Sequence, residues 1–381
     1  MNYNGNMSVM TNEMPSLKEP GWELQSHLLH GVSRTFALTI PQLPVPLQRS
    51  IGNGYLLCRI ADTIEDDPGL ALDDKASLYD EFLSVLNGTA DGQQFANRLH
   101  PELSDQTIPE ERELIRQTAE VVELTRRLNQ TQQDALIRCV TIMSNGMCEF
   151  QNRKSLDGLH DVEELSRYCY VVAGVVGEML TELFCDYSDE IQARRDEMMA
   201  ASICFGQGLQ LTNILKDIWE DQQVGSCWLP RSVFSSDDAL LKELMQSKQS
   251  DKMTDGIDYL VGIARNNLDT ALAYTKLIPK HEVGIRRFCL WAIGMAVLTL
   301  HKIHHNPGYD NGAQVKISRH QVWTTIKTLN VALHSNRLVS AWFKVPAMGM
   351  PYTSDAMACD PGVLKKIIGN QNIAADPGRV Q

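Results

Sequence analysis

Apolar residues recur three and four positions apart along most of the chain, a spacing that places them on one face of a helix. No run of alternating apolar and polar residues predicts a strand, and Pro or Gly residues separate the periodic segments. We therefore predict an all-α protein. The pattern predicts helices over residues 76–86, 114–128, 133–150, 162–183, 198–220, 257–277, 283–304 and 321–343.

The two chain ends lack this periodicity. Residues 1–20 and 346–381 are predicted to be loose tails, which leaves a single helical domain over residues 21–345. The longest nearly unbroken apolar run, 288–300, is shorter than the roughly 20 residues that a membrane-spanning helix needs. The sequence therefore predicts no integral membrane segment.

Composition narrows the range of partners and compartments. A net charge of −12 supplies no basic footprint for nucleic acid. Nine cysteines include no CxxC pair, and the polar N-terminus resembles no secretory signal, so neither a disulfide framework nor a zinc ribbon is predicted. We expect a cytoplasmic protein.

Two short segments carry clustered acids at helical spacing. Residues three and four apart share a helix face, which predicts one cluster at Asp62, Glu65 and Asp66 and a second at Asn213, Asp217, Glu220 and Asp221. Solvated charged faces are the alternative. Each cluster, however, ends a largely apolar helix, and oxygen ligands without His or Cys suit Mg²⁺ held together with substrate phosphates. The spacing and context favour metal binding.

Further segments extend the pattern beyond the acids. They are Ser-Arg-Thr-Phe at 33–36, Tyr-Leu-Leu-Cys-Arg at 55–59, Tyr-Cys-Tyr-Val-Val-Ala-Gly-Val-Val-Gly at 168–177, Gln-Leu-Thr-Asn at 210–213, Phe-Cys at 288–289 and Val-Lys-Ile at 315–317. Together with the acidic motifs, and in this order, they resemble the squalene and phytoene synthase family, the head-to-head prenyl synthases. The resemblance implies an isoprenoid-synthase helical bundle with a central cavity, in which two farnesyl diphosphates condense to presqualene diphosphate.

The resemblance also implies roles for individual residues. Metal ligands would be Asp62, Glu65, Asp66, Asn213, Asp217 and Asp221, with Glu220 beside them. Catalytic residues would be Tyr168, Asp62, Asp66, Asp217 and Asp221. Substrate contacts would come from Ser33, Arg34, Thr35, Tyr55, Arg59, Gln210, Lys216 and Phe288, and cofactor contacts from Arg34, Arg59, Lys216 and Lys316.

Simpler roles stay open for several of these side chains. Ser33 could be a helix cap, Phe288 a core residue, and Arg59 or Lys216 a counter-charge to neighbouring acids. Tyr168 could be a core tyrosine, with Tyr170 the rival candidate if the register is misjudged. Ala173, Gly174 and Gly177 either allow close helix packing or leave room for a prenyl chain.

Within the family, the residues of both acidic motifs and Lys316 resemble those of the squalene branch. Enzymes of that branch reduce presqualene diphosphate with NADPH. Two positions differ from the squalene branch: Ser226 and Ser318 stand where basic residues are usual. The sequence also has no Gly-rich dinucleotide fingerprint. The alternatives are a phytoene- or dehydrosqualene-type synthase that uses no reductant, and a non-catalytic scaffold relative. No membrane anchor is recognised in the C-terminal tail, so we expect an enzyme that is peripheral to a membrane. A chain from which an anchor has been trimmed is the alternative.

Overall fold

The computed structural model describes residues 19, 21–33, 36–234, 241 and 251–353. Helices fill these ranges and no strand forms within them; Leu159 and Pro230 make an isolated parallel bridge. The all-α prediction is thus confirmed. The main helices are α1 Trp22–Val32, α2 Val45–Asp66, α3 Leu72–Leu86, α4 Gly92–Glu102, α5 Pro109–Arg116, α6 Thr118–Arg126, α7 Gln130–Gln151, α8 Val162–Cys169, α9 Val175–Tyr187, α10 Arg195–Gln223, α11 Asp251–Leu277, α12 Val283–His305, α13 Arg319–Ala332 and α14 Asn336–Lys344.

Helix α10 lies at the centre of the bundle. It packs along α11 and also against α9 and α12, while α2 packs against α7. Two glycines bring α10 close to the preceding helices: a Cβ on Gly206 would lie 2.0 Å from the carbonyl oxygen of Ala173, and one on Gly177 would lie 2.0 Å from that of Ser202. These glycines therefore allow close backbone packing, the simpler of the two roles predicted for this stretch.

Helices α8 and α9 form one continuous helical run, with π-helical residues Tyr170–Gly174 between them. By length and composition, this run, Val162–Tyr187, and α12 could each cross a membrane, but 67% of each apolar window is buried inside the fold. Buried core helices have the same composition. The apolar run predicted at 288–300 lies within α12.

The segments predicted at 114–128 and 321–343 are each divided in two. The first contains the end of α5 and the whole of α6, which are separated at Gln117. The second contains α13 and most of α14, and the Ser335 side chain caps α14 by accepting a hydrogen bond from the Leu338 N–H. Apolar periodicity continues across both breaks, so it does not reveal them.

Arg286, near the start of α12, is fully buried and forms no salt bridge with a carboxylate among the described residues. Its guanidinium donates hydrogen bonds to the carbonyl oxygens of Leu333 (2.9 Å), Thr275 (3.1 Å) and Ile278 (2.9 Å), and to Oδ1 of Asn336 (2.7 Å). The carbonyls belong to the C-terminal ends of α11 and α13, where helix dipoles favour a cation. Arg286 therefore ties three helix ends together.

Candidate active site

The first acidic cluster occupies the last turn of α2. Carboxylates are unfavourable at a helix C-terminus, and this turn has no basic residue to offset them. Exclusion of water by the surrounding protein, together with neighbouring acids, raises the pKa of Asp62 to about 7 and that of Glu65 to about 8. The pKa of Asp66 is raised as well, chiefly by loss of water. The cluster thus has too little counter-charge to stabilise all of its carboxylates in the ionised form.

Arg59 and Gln151 are the main partners of this cluster. Nη1 of Arg59 lies 3.6 Å from Oδ2 of Asp62 and 3.6 Å from Oε1 of Glu111, so its charge is shared between two acids. The Gln151 side chain donates a 2.9 Å hydrogen bond to Oε1 of Glu65. Arg59 acts at least as a counter-charge, and Glu65 is already partly engaged.

Asp67, the next residue, has a different environment. It is 2% exposed, and its carboxylate accepts hydrogen bonds from the N–H groups of Gly69 (2.7 Å) and Ser104 (2.8 Å) and from the hydroxyls of Ser104 (3.1 Å) and Thr107 (2.5 Å). Burial opposes its ionisation, but these bonds lower its pKa below the ordinary value. Asp67 therefore holds two loops together and is not part of the cluster.

The second acidic cluster lies on the last turns of α10. Nζ of Lys216 is 3.0 Å from Oδ2 of Asp217 and donates a 3.3 Å hydrogen bond to Oδ1 of Asn213. Oε1 of Glu220 accepts a 2.8 Å hydrogen bond from the Gly312 N–H. Lys216 thus lies beside two residues of the cluster as a counter-charge would, and Glu220 is engaged by the backbone.

The structure brings the two clusters together. Burial, together with the charges of Asp217, Asp66 and Glu220, raises the pKa of Asp221 to about 6, although Lys154 acts to lower it. Lys154 also lowers the pKa of Asp66. Asp66 of the first cluster and Asp221 of the second therefore lie close enough for their charges to interact, and the charge of Lys154 acts on both.

Backbone hydrogen bonds hold the loop that carries Lys154 between the clusters. The loop follows Gln151, the partner of Glu65. On the other side, the carbonyl oxygen of Ser155 accepts a 3.0 Å bond from the Cys227 N–H, and the adjacent Ser226 donates a 2.9 Å bond to the Asp221 carbonyl. The loop spans the gap from α2 to α10.

Tyr168 lies beside both clusters. Its ring stacks on Trp228, with centroids 4.1 Å apart and planes 6° from parallel. Burial raises its pKa well above the ordinary value, and the charges of Glu65, Asp221 and Asp66 raise it further. The rival, Tyr170, donates a 3.0 Å hydrogen bond to Glu178. Of the two tyrosines, Tyr168 is therefore the one whose pKa is affected by acids of both clusters.

Three of the remaining residues predicted to contact substrate, Ser33, Tyr55 and Phe288, lie around Phe36. Ser33 accepts a 3.0 Å hydrogen bond from the Phe36 N–H, as a cap does. The Tyr55 ring lies 5.1 Å from that of Phe36, and Phe288 is buried 6.4 Å from Phe36. Gln210 is half-buried one turn before Asn213. Arg34 and Thr35 lie outside the described residues.

The segment that leads to Lys316 packs on the second cluster. Besides the Gly312 contact, the Tyr309 hydroxyl donates a hydrogen bond to the Leu215 carbonyl. Lys316 is exposed, and Ser318 forms a capping box with Gln321 at the start of α13. Ser318 therefore has a structural role as a helix cap.

The described residues contain no group of three Asp, Glu, His or Cys side chains that converges as metal ligands would. Within this part of the chain, the acids therefore do not form a protein-only cage. A surface cleft of about 340 Å³, lined by residues that include Gly21, Asp91 and Arg126, contains none of the predicted site residues. The central cavity implied by the resemblance remains a prediction.

Sequence reasoning missed Lys154, Glu111, Gln151 and Trp228. None of them belongs to either acidic motif, and a lone cation in a loop has no distinctive pattern. Trp228 alone carried a signal, since it is a large aromatic residue shortly after the second motif. The others are recognisable only from the packing of α7 and α5 against α2.

Comparison with known proteins adds independent findings. Residues 29–321 match the squalene/phytoene synthase family. The squalene synthase of Candida albicans is 32% identical over 303 residues, which cover 77% of this chain and 64% of that protein. That of Gibberella zeae is 29% identical over 295 residues, with 77% and 61% covered. The chain thus spans less than two thirds of the length of these relatives.

A solved structure of TcSQS with a ligand has a similar fold. The TM-score is 0.71 at 22% sequence identity, and the match covers 92% of this chain and 97% of that one. At this identity the likeness concerns the fold alone.

Proposed function

Since the chain belongs to the squalene/phytoene synthase family, we propose that it is a Mg²⁺-dependent enzyme that joins two farnesyl diphosphates head to head into presqualene diphosphate and reduces this to squalene with NADPH. The observation that carries the proposal is the juxtaposition of Asp66, Asp221 and Tyr168. Two acid-bearing helix ends and an aromatic ring then surround one reaction centre.

The donor set fits Mg²⁺. The acids all supply oxygen ligands, they repel one another and they lie at helix ends, so they favour a hard divalent ion. Asp62, Asp66, Asn213, Asp217 and Asp221 would hold the ions, whereas Glu65 and Glu220 are already engaged. Bound Mg²⁺ supplies positive charge that stabilises a departing diphosphate.

Cationic side chains of the chain would hold the same diphosphates. Arg59 and Lys216 lie beside the first and second cluster respectively, and the Lys154 charge acts on both. Preorganised positive charge at the position where negative charge develops is an effective way to lower an ionisation barrier. The three cations would orient the leaving groups towards the gap between the clusters.

Tyr168 would act at the reacting carbons. Its raised pKa keeps the phenol protonated at neutral pH, so it serves as a hydrogen-bond donor and not as a phenolate base. Trp228 stacks on one face of the Tyr168 ring. The aromatic ring would stabilise positive charge on an allylic carbon at its other side.

The residues fit NADPH less well than Mg²⁺. Lys316 is the predicted phosphate contact and is exposed, but Ser318 caps a helix and Ser226 is buried. NADPH would supply a hydride. The same two serines favour the second candidate, a synthase of the phytoene or dehydrosqualene type.

The deciding experiment is product analysis by mass spectrometry after incubation with farnesyl diphosphate and Mg²⁺, with and without NADPH. We expect squalene only with NADPH. The same hydrocarbon in both reactions would assign the second candidate. Asp62→Asn combined with Asp217→Asn should abolish turnover without unfolding the protein, while Asp105→Asn, at an exposed acid outside the clusters, should not. Full function in the double variant would support a scaffold role.

A further inference from the structure

Residues 311–353 have a charge unlike that of the rest of the chain. This stretch contains five Lys or Arg residues and no Asp or Glu, although the whole protein has a net charge of −12. The four cations from residue 319 onward are exposed, and none forms a salt bridge with a described residue: Arg319, Lys327, Arg337 and Lys344. This is a local basic surface on an acidic protein.

The same stretch exposes large apolar side chains. Trp323, Val331, Leu338, Val345 and Met348 are between 53% and 76% exposed. Scattered apolar residues are normal on protein surfaces, but a concentration of them among unpaired cations is not.

On α13, the exposed residues form one stripe. Arg319, Trp323, Lys327 and Val331 follow one another at four-residue spacing, which keeps them on one side of the helix. Nζ of Lys327 lies 3.4 Å from the centroid of the Trp323 ring. Cation and aromatic ring are therefore presented together.

On α14, the outer side continues this surface. Val339 and Phe343 are buried, whereas Leu338 and Val345 are exposed on the opposite side. The Trp342 indole donates a 2.8 Å hydrogen bond to the Thr328 hydroxyl of α13, one turn before Val331. This contact joins the exposed sides of the two helices. We name their combined surface, Arg319, Trp323, Lys327, Val331, Arg337, Leu338, Lys344, Val345 and Met348, the basic-apolar face.

We propose that the basic-apolar face docks on an anionic lipid surface. Unpaired cations attract acidic headgroups, while Trp and aliphatic side chains enter the boundary between headgroups and acyl chains. A second copy of the chain is a poor occupant because it would set like charges against one another. The proposal does not depend on the reaction. Since α13 begins just after the segment that packs on Glu220, docking would hold the candidate active site near the membrane.

The test is co-sedimentation of the full 381-residue chain with phosphatidylcholine vesicles, with or without phosphatidylglycerol. We expect binding only to anionic vesicles, weakened by salt. Each cation near such a surface strengthens binding roughly fivefold, so Lys327→Glu with Lys344→Glu should weaken binding at least about 25-fold. Trp323→Ser with Leu338→Ser should also weaken it.

Lys252→Glu with Lys280→Glu is the matched control, because it changes the net charge equally at exposed positions outside the face. Thermal melting should show that all variants fold. Equal binding to neutral vesicles, no binding at all, or equal losses in control and face variants would overturn the proposal. A dimer abolished by Trp323→Ser with Leu338→Ser, without vesicle binding, would assign the face to a second copy and would also overturn it.

Discussion

Asp66 and Asp67 are adjacent in the first acidic motif, yet the structure gives them separate tasks. Asp66 shares the field of the second cluster, whereas Asp67 is buried with four hydrogen-bond donors around its carboxylate. We therefore predict that Asp67→Asn lowers stability and leaves turnover per folded molecule unchanged. Asp66→Asn should abolish turnover without lowering stability, since it removes a repelling charge from a helix C-terminus.

The magnitude follows from the bonds that an asparagine side chain can keep in the place of Asp67. With its amide oxygen in the position of Oδ2, the substituted side chain would still accept from Ser104 and Thr107, but its NH₂ group would face the Gly69 N–H. One bond is lost and the others lose their charge assistance. Because a hydrogen bond to a charged group contributes about 1.5–3 kcal/mol, we expect a loss of about 3 kcal/mol in the free energy of unfolding.

The assay is urea unfolding followed by circular dichroism, in which the midpoint should fall by roughly 0.5–1 M. The pH dependence gives a second check. The folded pKa of Asp67 is depressed, so its contribution is present above the unfolded pKa of about 3.9 and is lost as pH falls through the folded value. The difference between wild type and Asp67→Asn should thus be constant from neutral pH to about pH 4 and shrink below it.

A variant that unfolds at the wild-type urea concentration but loses turnover would refute this reasoning. Asp67 would then belong to the site together with Asp66. Loss of both stability and turnover per folded molecule would likewise contradict the division of tasks.

Three further predictions concern the cations and tyrosines. Lys154→Met should lower kcat/KM roughly 10- to 100-fold by removing a charge-assisted contact, while Arg153→Met, whose side chain pairs with Glu149 and Glu164, should leave it within about twofold; equal effects would contradict the role of Lys154. In steady-state assays, Tyr168→Phe should lower kcat about 100-fold, and Tyr170→Phe should lower stability by about 1.5–3 kcal/mol at unchanged kcat. Arg286→Met should cost about 3–5 kcal/mol in urea unfolding because buried carbonyls lose their donor, and a wild-type midpoint would contradict this.

Sequence periodicity predicted the helical class and most of the long helices, because one-sided burial leaves a repeating pattern. It missed α1, α2 and α4, and only the end of α2 was inferred to be helical, from the acidic cluster that it carries. It also missed the division between α13 and α14, since Leu329 and Val339 are both buried on the core side and the pattern runs through the break. The capping serine at 335 was the available signal, but a single Ser between two apolar stretches carries little weight.

For the candidate site, residue types and spacing predicted both acidic clusters, because mutual repulsion at the end of an apolar helix is unusual. Spacing could not show that Asp66 and Asp221 share one field, which depends on how α2 and α10 pack. Nor could it show that Glu65 is engaged by Gln151 or that Lys154 acts between the clusters. Those relations join residues that are far apart in the chain.

The bond between Glu220 and the Gly312 N–H has a consequence for ligand binding. A Cβ on residue 312 would lie 2.9 Å from the Lys216 carbonyl oxygen. The segment 309–316 can therefore pack this closely on α10 only with glycine at position 312. An ion that recruited the Glu220 carboxylate would break this bond and loosen the segment that leads to Lys316, which the Tyr309 hydroxyl also ties to α10. Filling the diphosphate end of the site and repositioning that lysine would then be thermodynamically coupled through one side chain.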